Sequence, residues 1–172
     1  MKKQIIFIIF LAISFVTTNN IRAQQGEFKI NAAAEVGIPL GDFSDITSFG
    51  FGVTGKGLYG VSDDGQVGLT IGYLSFSGKK YQGYKYGNYG VIPIMGSYRH
   101  FFDAFYGEAQ LGFANIGVRY AGISHTSTDF SWAIGGGYTF DQFDASLRYQ
   151  GVQTSGDSVG WIGLRFGYTF DL

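Results

Sequence analysis

Two places in the chain gather side chains that could do chemistry. In Ser124-His125-Thr126-Ser127 a histidine and a serine lie two residues apart, with Asp129 and Asp141 further on. A nucleophile, a base and an orienting acid within hydrogen-bond reach can activate a hydroxyl for acyl transfer. On a strand, His125 and Ser127 would share one face. The same letters also make an ordinary solvated loop, a common use of Ser, Thr and Asp. That plainer reading is preferred, and no catalytic residue is assigned. The second place is Lys79-Lys80-Tyr81-Gln82-Gly83-Tyr84-Lys85-Tyr86. Its lysines could bind anionic groups at a membrane surface while its tyrosines stack or anchor. An aromatic girdle with solubilising lysines explains it more simply. His100 and His125 are isolated and the acids are scattered, so no metal site is expected. No helix follows Gly135-Gly136-Gly137 for an anion to cap, so that run is not a phosphate loop and no cofactor is expected.

The elements that must hold these residues are strands. In the last segment Ile162, Leu164, Phe166, Tyr168, Phe170 and Leu172 alternate with Gly163, Arg165, Gly167, Thr169 and Asp171. Strict alternation is the mark of a strand whose two faces meet different surroundings. About ten residues of it is the length of a tilted membrane strand. The first segment repeats the pattern, with Phe28, Ile30, Ala32, Ala34, Val36 and Ile38 outward against Lys29, Asn31, Ala33, Glu35 and Gly37. Further strands are predicted over 49–60, 66–74, 89–99, 105–113, 130–140 and 144–152, which makes eight. The fourth is ambiguous. There Ile92, Ile94 and Tyr98 compete with Val91 and Met95 for one face, and Pro93 removes a ladder donor.

The links between these strands alternate in length. Those at 62–65, 100–104 and 141–143 are short, while 39–48, 75–88, 120–129 and 151–158 are longer. Short periplasmic turns and longer extracellular loops are the rule for outer-membrane barrels. The fold expected is an all-β, eight-stranded antiparallel up-and-down transmembrane barrel.

Composition agrees. Of the 172 residues 18% are aromatic and 15% charged, with 28 glycines and two prolines, against about 25% charged in soluble domains. No apolar run after the N-terminus is long enough for a helical span. Lys2 and Lys3, the apolar stretch Ile5 to Val16 and the site Ile21-Arg22-Ala23 before Gln24 read as a cleavable signal peptide. The expected division is a signal over 1–23 and a barrel domain over 24–172. Cleavage would leave 9 basic and 13 acidic side chains, a formal charge of −4. No basic face for nucleic acid is implied. Without cysteine the chain can have neither a disulfide framework nor a lipid-modified N-terminal cysteine.

Inward positions of an eight-stranded barrel should just fill its interior. The charges expected there are Lys29, Lys56, Arg148 and Arg165 against Glu35, Glu108, Asp144 and Asp171, which cancel. An unpaired buried charge costs several kcal/mol, so balance favours a closed, salt-bridged plug over a narrow porin-like channel for small solutes or ions. Phe101, Phe102, Phe105 and Tyr106 are expected to form the girdle at the short-turn end.

With these features the chain from about Glu27 to Leu172 resembles the small outer-membrane β-barrels akin to OmpX and the membrane domain of OmpA. The most specific element is Arg165-x-Gly167-x-x-Phe170-x-Leu172, which is similar to the terminal signal read by the barrel-assembly machinery. The stretch Gly37-Ile38-Pro39-Leu40-Gly41-Asp42-Phe43 resembles the segment after the first strand in many such barrels. The resemblance implies a monomer in the outer membrane, exported through the periplasm, with membrane lipids, lipopolysaccharide and the assembly machinery as partners. It implies a structural or surface-interaction role carried by exposed loops. Two enzyme types are known on comparable barrels, a lipid A deacylase and a palmitoyltransferase, both using a histidine and a serine near the outer leaflet. His125 and Ser127 are the residues on which such a lipid A-modifying activity would rest here.

Overall fold

A computed structural model describes residues 25–81, 84, 85, 87–120, 123–154 and 158–171. The predicted signal and Leu172 lie outside the described residues. The strands are β1 (Phe28–Leu40), β2 (Thr47–Ser62), β3 (Gly65–Gly78), β4 (Lys80–Tyr81), β5 (Tyr84–Lys85), β6 (Asn88–Phe102), β7 (Phe105–Tyr120), β8 (Ile123–Phe140), β9 (Phe143–Gln153) and β10 (Ser158–Asp171). Among the described residues a single short helix, α1 (Asp42–Ile46), lies between β1 and β2. Strands β4 and β5 form a small ribbon of their own. The other eight close into an antiparallel barrel in the order β1, β10, β9, β8, β7, β6, β3, β2.

Closure is made by β1 against β10, in register from Lys29 opposite Asp171 to Leu40 opposite Gly160. The pairing leaves the barrel no open sheet edge, which is what a hydrocarbon surrounding demands of a backbone. At the end that holds Phe28 and Asp171, two-residue turns join β2 to β3, β6 to β7 and β8 to β9. Two of these turns place an aspartate in the left-handed region, Asp103 at φ 60° and Asp141 at φ 52°. Asp visits that region more readily than most residues, and its twist suits a tight hairpin.

The opposite end differs from expectation. Much of what reads as long loop is strand that continues past the apolar belt. The sequence pattern suggests a loop over 120–129, yet β7 and β8 stay in register up to Tyr120 opposite Ile123. Polar side chains at 124–129 hide this from a hydropathy reading, because a strand that rises into water no longer needs an apolar face. Between β1 and β2 the chain instead turns at Gly41, whose φ of 56° suits glycine. Thr47 Oγ1 donates to the Phe43 carbonyl at 2.6 Å, which closes α1.

The ambiguous fourth strand resolves in β6. Ile92, Ile94 and Tyr98 face outward, while Val91, Pro93, Met95 and Arg99 are buried. The β3–β6 ladder runs through Ile71 opposite Ile94, lapses, and resumes at Leu74 opposite Val91 without a change of register. The lapse falls at Pro93, which has no N–H to give. On the other side Pro93 stays in register with Ala114.

Candidate functional site

The inner faces of the strand walls carry a gradient. Along β9 the inward residues run Asp144, Ser146, Arg148, Gln150 and Val152, and along β7 Tyr106, Glu108, Gln110, Gly112, Ala114 and Ile116. On these two strands the lower and middle barrel is therefore ionic and polar and the loop end apolar, whereas on β8 the same face stays polar through Asp129 and Ser127.

The ionic layer is one connected network. Arg99 Nε donates to Glu108 Oε2 at 2.9 Å, and Lys56 Nζ pairs with Glu108 Oε1. Arg99 Nη1 lies 3.5 Å from Asp144 Oδ2, to which the Tyr106 hydroxyl donates at 2.6 Å. The Arg99 guanidinium also sits 3.8 Å from the centroid of the Tyr106 ring, a cation–π distance. Across the barrel, Arg148 Nη2 donates to both Glu35 oxygens at 2.9 and 3.0 Å. Arg165 donates from Nε to Thr54 Oγ1 at 2.8 Å and from Nη2 to Asn31 Oδ1 at 3.1 Å.

Glycines make room for these long side chains. A Cβ on Gly135 would stand 2.3 Å from the Leu147 carbonyl oxygen and 2.7 Å from Arg148 Cβ. On Gly163 it would meet Glu35 Oε1 at 2.5 Å, and on Gly137 the Tyr106 hydroxyl at 2.4 Å. The gap that remains between Lys56, Glu108, Gln110 and Arg148 is about 10 Å³, the space of a single water at most.

The expected charge balance is corrected here. Lys29 and Asp171 pair at the rim at 3.1 Å, with the Asp171 side chain 62% exposed. Arg99 takes a place in the interior that strand periodicity alone does not give it. The buried set is Lys56, Arg99, Arg148 and Arg165 against Glu35, Glu108 and Asp144, one positive charge in excess among the described residues. Arg99 escapes the sequence pattern because it falls at the end of the ambiguous strand. Once Ile94 and Tyr98 are fixed outward, alternation places it inside.

Above the polar layer the barrel is stopped by an apolar plug. Phe43 of α1 packs with Leu74, Phe76, Val91, Ala114, Ile116, Val152 and Trp161. Its ring lies 5.1 Å from Phe76, which lies 5.5 Å from Trp161. Edge-on aromatic packing at such distances is favourable beyond area burial alone. The sequence signal for α1 is faint: five residues after a Gly-Asp turn, with one aromatic residue.

The expected girdle also needs correction. Phe102 and Phe105 are 63% and 64% exposed, but Phe101 and Tyr106 are 5% and 4% exposed and pack on each other inside. Alternation across the Asp103-Ala104 turn sends neighbouring aromatics to opposite faces. The outer girdle at this end is completed by Tyr138, Phe140, Phe143, Phe166, Tyr168 and Phe170, with ring centroids 4.8 to 6.2 Å apart along the chain of contacts. His100 sits in the same girdle, stacked on Tyr98 and edge-on to Phe102, as a rim residue should.

The residues considered for acyl transfer do not assemble a triad. His125, Ser127 and Asp129 share one face of β8, with Asp129 opposite Ala114 and Ser127 opposite Ile116 at the level of the plug, and the Ser127 hydroxyl donates to Asp129 Oδ2 at 2.7 Å. The acid thus holds the hydroxyl itself, and a carboxylate that engages the nucleophile directly does not orient an imidazole base. Asp141 lies beyond the far end of β8, on the order of 50 Å along an extended strand. Lys79 Nζ donates to the Ser44 carbonyl of α1 and Lys80 is exposed. The side chains of 81–86 lie outside the described residues. Among the described residues no group of three His, Cys, Asp or Glu side chains could hold a metal.

No family model matches the chain, and no curated protein matches it. Solved structures do match. Neisserial surface protein A aligns with a TM-score of 0.62 and 17% identity, over 84% of this chain and 97% of that one. Ail, the attachment invasion locus protein of Yersinia pestis, aligns at 0.57 and 16% identity, over 86% of this chain and all of the other. The N-terminal β-barrel domain of OprF from Pseudomonas aeruginosa aligns at 0.51 and 18% identity, over 85% and 98%. The fold is that of the small eight-stranded outer-membrane barrels.

Proposed function

We propose that the chain is an integral outer-membrane protein, a closed barrel that works through its loop end in envelope structure or in contact with surface partners. The observation that carries this reading is the double closure of the interior, an ion-paired layer below and the Phe43, Phe76 and Trp161 plug above. A solute path would need a polar lumen continuous from end to end. The outer surface supports the location: Phe51, Val53, Leu69, Ile71, Leu111, Phe113, Ile134 and Phe166 are all more than half exposed. A contiguous apolar belt of this kind is ruinous in water and natural in lipid.

In this reading the end with the termini and two-residue turns is periplasmic and the loop end is extracellular. Residues 1–23 direct export, the assembly machinery inserts the barrel, and membrane lipids with lipopolysaccharide surround it as a monomer. Two measurements test the proposal. The protein should fractionate with outer membranes and migrate differently on gels with and without boiling; extraction without detergent would count against a membrane barrel. In planar bilayers the purified protein should give no steady conductance steps. Reproducible single-channel steps would replace the closed scaffold with a narrow channel.

A further inference from the structure

On the outer wall, cross-strand rows of side chains change character over three steps. The row of Ile94, Phe113 and Phe130 is apolar. One step toward the loop end come Ile92, Asn115 and Thr128, with Tyr73 beside them on β3. The next row is Ser75, Gly90, Gly117 and Thr126, each opposite the next. Two adjacent glycines in mid-wall, flanked by taller neighbours, leave a depression. It is a groove of about 470 Å³ lined by Tyr73, Ser75, Asn88, Asn115, Thr126 and the two glycines, within the range of small-molecule sites of roughly 300–1,000 Å³.

Its chemistry is selective. Among the described residues the side chains that line it are neutral. Its hydroxyl and carboxamide groups both donate and accept, which matches a ligand whose own groups do the same. Asn115 Nδ2 already donates to Thr128 Oγ1 at 2.9 Å, which fixes the amide on the groove wall. Tyr73 is 51% exposed, and its ring reaches over Gly90, 3.3 Å from where a Cβ would stand. The Tyr73 ring thus covers Gly90 and leaves Gly117 as the open floor; an aromatic face beside that floor receives a ring-shaped ligand with one apolar face.

We propose that this groove binds the neutral sugar headgroup of a membrane-anchored glycolipid. The height of the groove selects the anchored source: its glycine floor lies two rows above the last fully apolar row, where headgroups succeed acyl chains. This inference rests on the reading of the chain as a membrane barrel, and its test separates the two.

The protein would be reconstituted in phosphatidylcholine nanodiscs, and the amide signals of Gly90 and Gly117 followed by NMR. Doping the discs with digalactosyl diacylglycerol should shift both signals in a saturable way, whereas phosphatidylglycerol should not. Gly117→Val suits as the variant because a Cβ there meets only the Gly90 carbonyl oxygen, at 4.0 Å, so the wall keeps its fold while the groove is filled. Gly117→Val, followed through Gly90, and Asn115→Ala should each weaken the response about tenfold, the equivalent of one or two lost hydrogen bonds. Equal shifts with phosphatidylglycerol, or an undiminished response in both variants, would overturn the proposal. Binding of free digalactose at the same strength would overturn its membrane-anchored form. A dispersed barrel spectrum with no shift on the glycolipid refutes the groove and leaves the membrane reading intact; failure to enter nanodiscs at all refutes both.

Discussion

The interior of this barrel is an electrostatic arrangement in which individual side chains have unequal standing. Glu35 is the carboxylate that Arg148 grips with two bonds and that lies 3.8 Å from Arg165. Glu35→Ala would leave Arg148 without that partner and raise the buried surplus from one positive charge to two. Breaking a buried pair from one side costs about 3–5 kcal/mol. Lys56→Met removes the surplus instead, and Glu108 keeps its bond to Arg99. That variant should stay within about 1 kcal/mol of the parent. Urea unfolding in lipid vesicles, with the two variants side by side, reads this directly; equal losses would show that the surplus charge does not matter. Sequence alternation finds Lys56, Arg148, Arg165, Glu35, Glu108 and Asp144 correctly. It could not find the partners, because Glu35 and Arg148 are 113 positions apart.

At the scale of the strand, glycine marks where another element's side chain must pass. Gly135 is required by the backbone of Leu147 and by Arg148 on the neighbouring β9. Gly135→Leu forces overpacking against main-chain atoms and should cost about 1–3 kcal/mol or prevent folding. A Cβ added at Gly55, on β2, would have nothing within 4 Å, so Gly55→Ala should fold like the parent. Comparing the fractions that resist unfolding on unboiled gels tests the pair. Alternation already puts Gly55 on the outward face with Phe51 and Val53 and Gly135 on the inward face with Ser131 and Ala133. Only the register of the next strand shows which side chain must pass at Gly135.

The helix α1 belongs to the same scale, because one of its side chains completes the plug. Phe43→Ala removes a buried aromatic and should lower stability by about 3–5 kcal/mol. It should still produce no conductance, because the layer of Arg99, Arg148 and Arg165 with their carboxylates closes the barrel below it. Steps in planar bilayers for Phe43→Ala alone would mean that the plug, rather than the ionic layer, is the barrier.

For the molecule as a whole, the outer surface and the inner filling make opposite demands that one period satisfies. Each strand presents apolar side chains to lipid and polar ones inward, then abandons the rule where it leaves the membrane. Loss of the rule explains why the sequence pattern stops β7 near 113 and starts β8 near 130, while they run to Tyr120 and from Ile123. Extension of a barrel hairpin into water should show as slow amide exchange along 114–118. Rapid exchange throughout that stretch would argue for the loop that the sequence suggests.

By itself the sequence determined the eight strands, the two faces of all but the fourth and the closed fold, because a period of two is a local property that lipid on one side enforces along each strand. It also determined most of the inward charges. The tertiary structure alone decided that Arg99 joins them, that Lys29 and Asp171 stay at the rim, that Phe101 turns inward onto Tyr106, and that Phe43 plugs the loop end. It alone brought Gly90 beside Gly117 to shape a groove. These facts depend on how far each strand slides against its neighbour before the barrel closes, and that offset is a sum over the whole ring of pairings, invisible in any one segment.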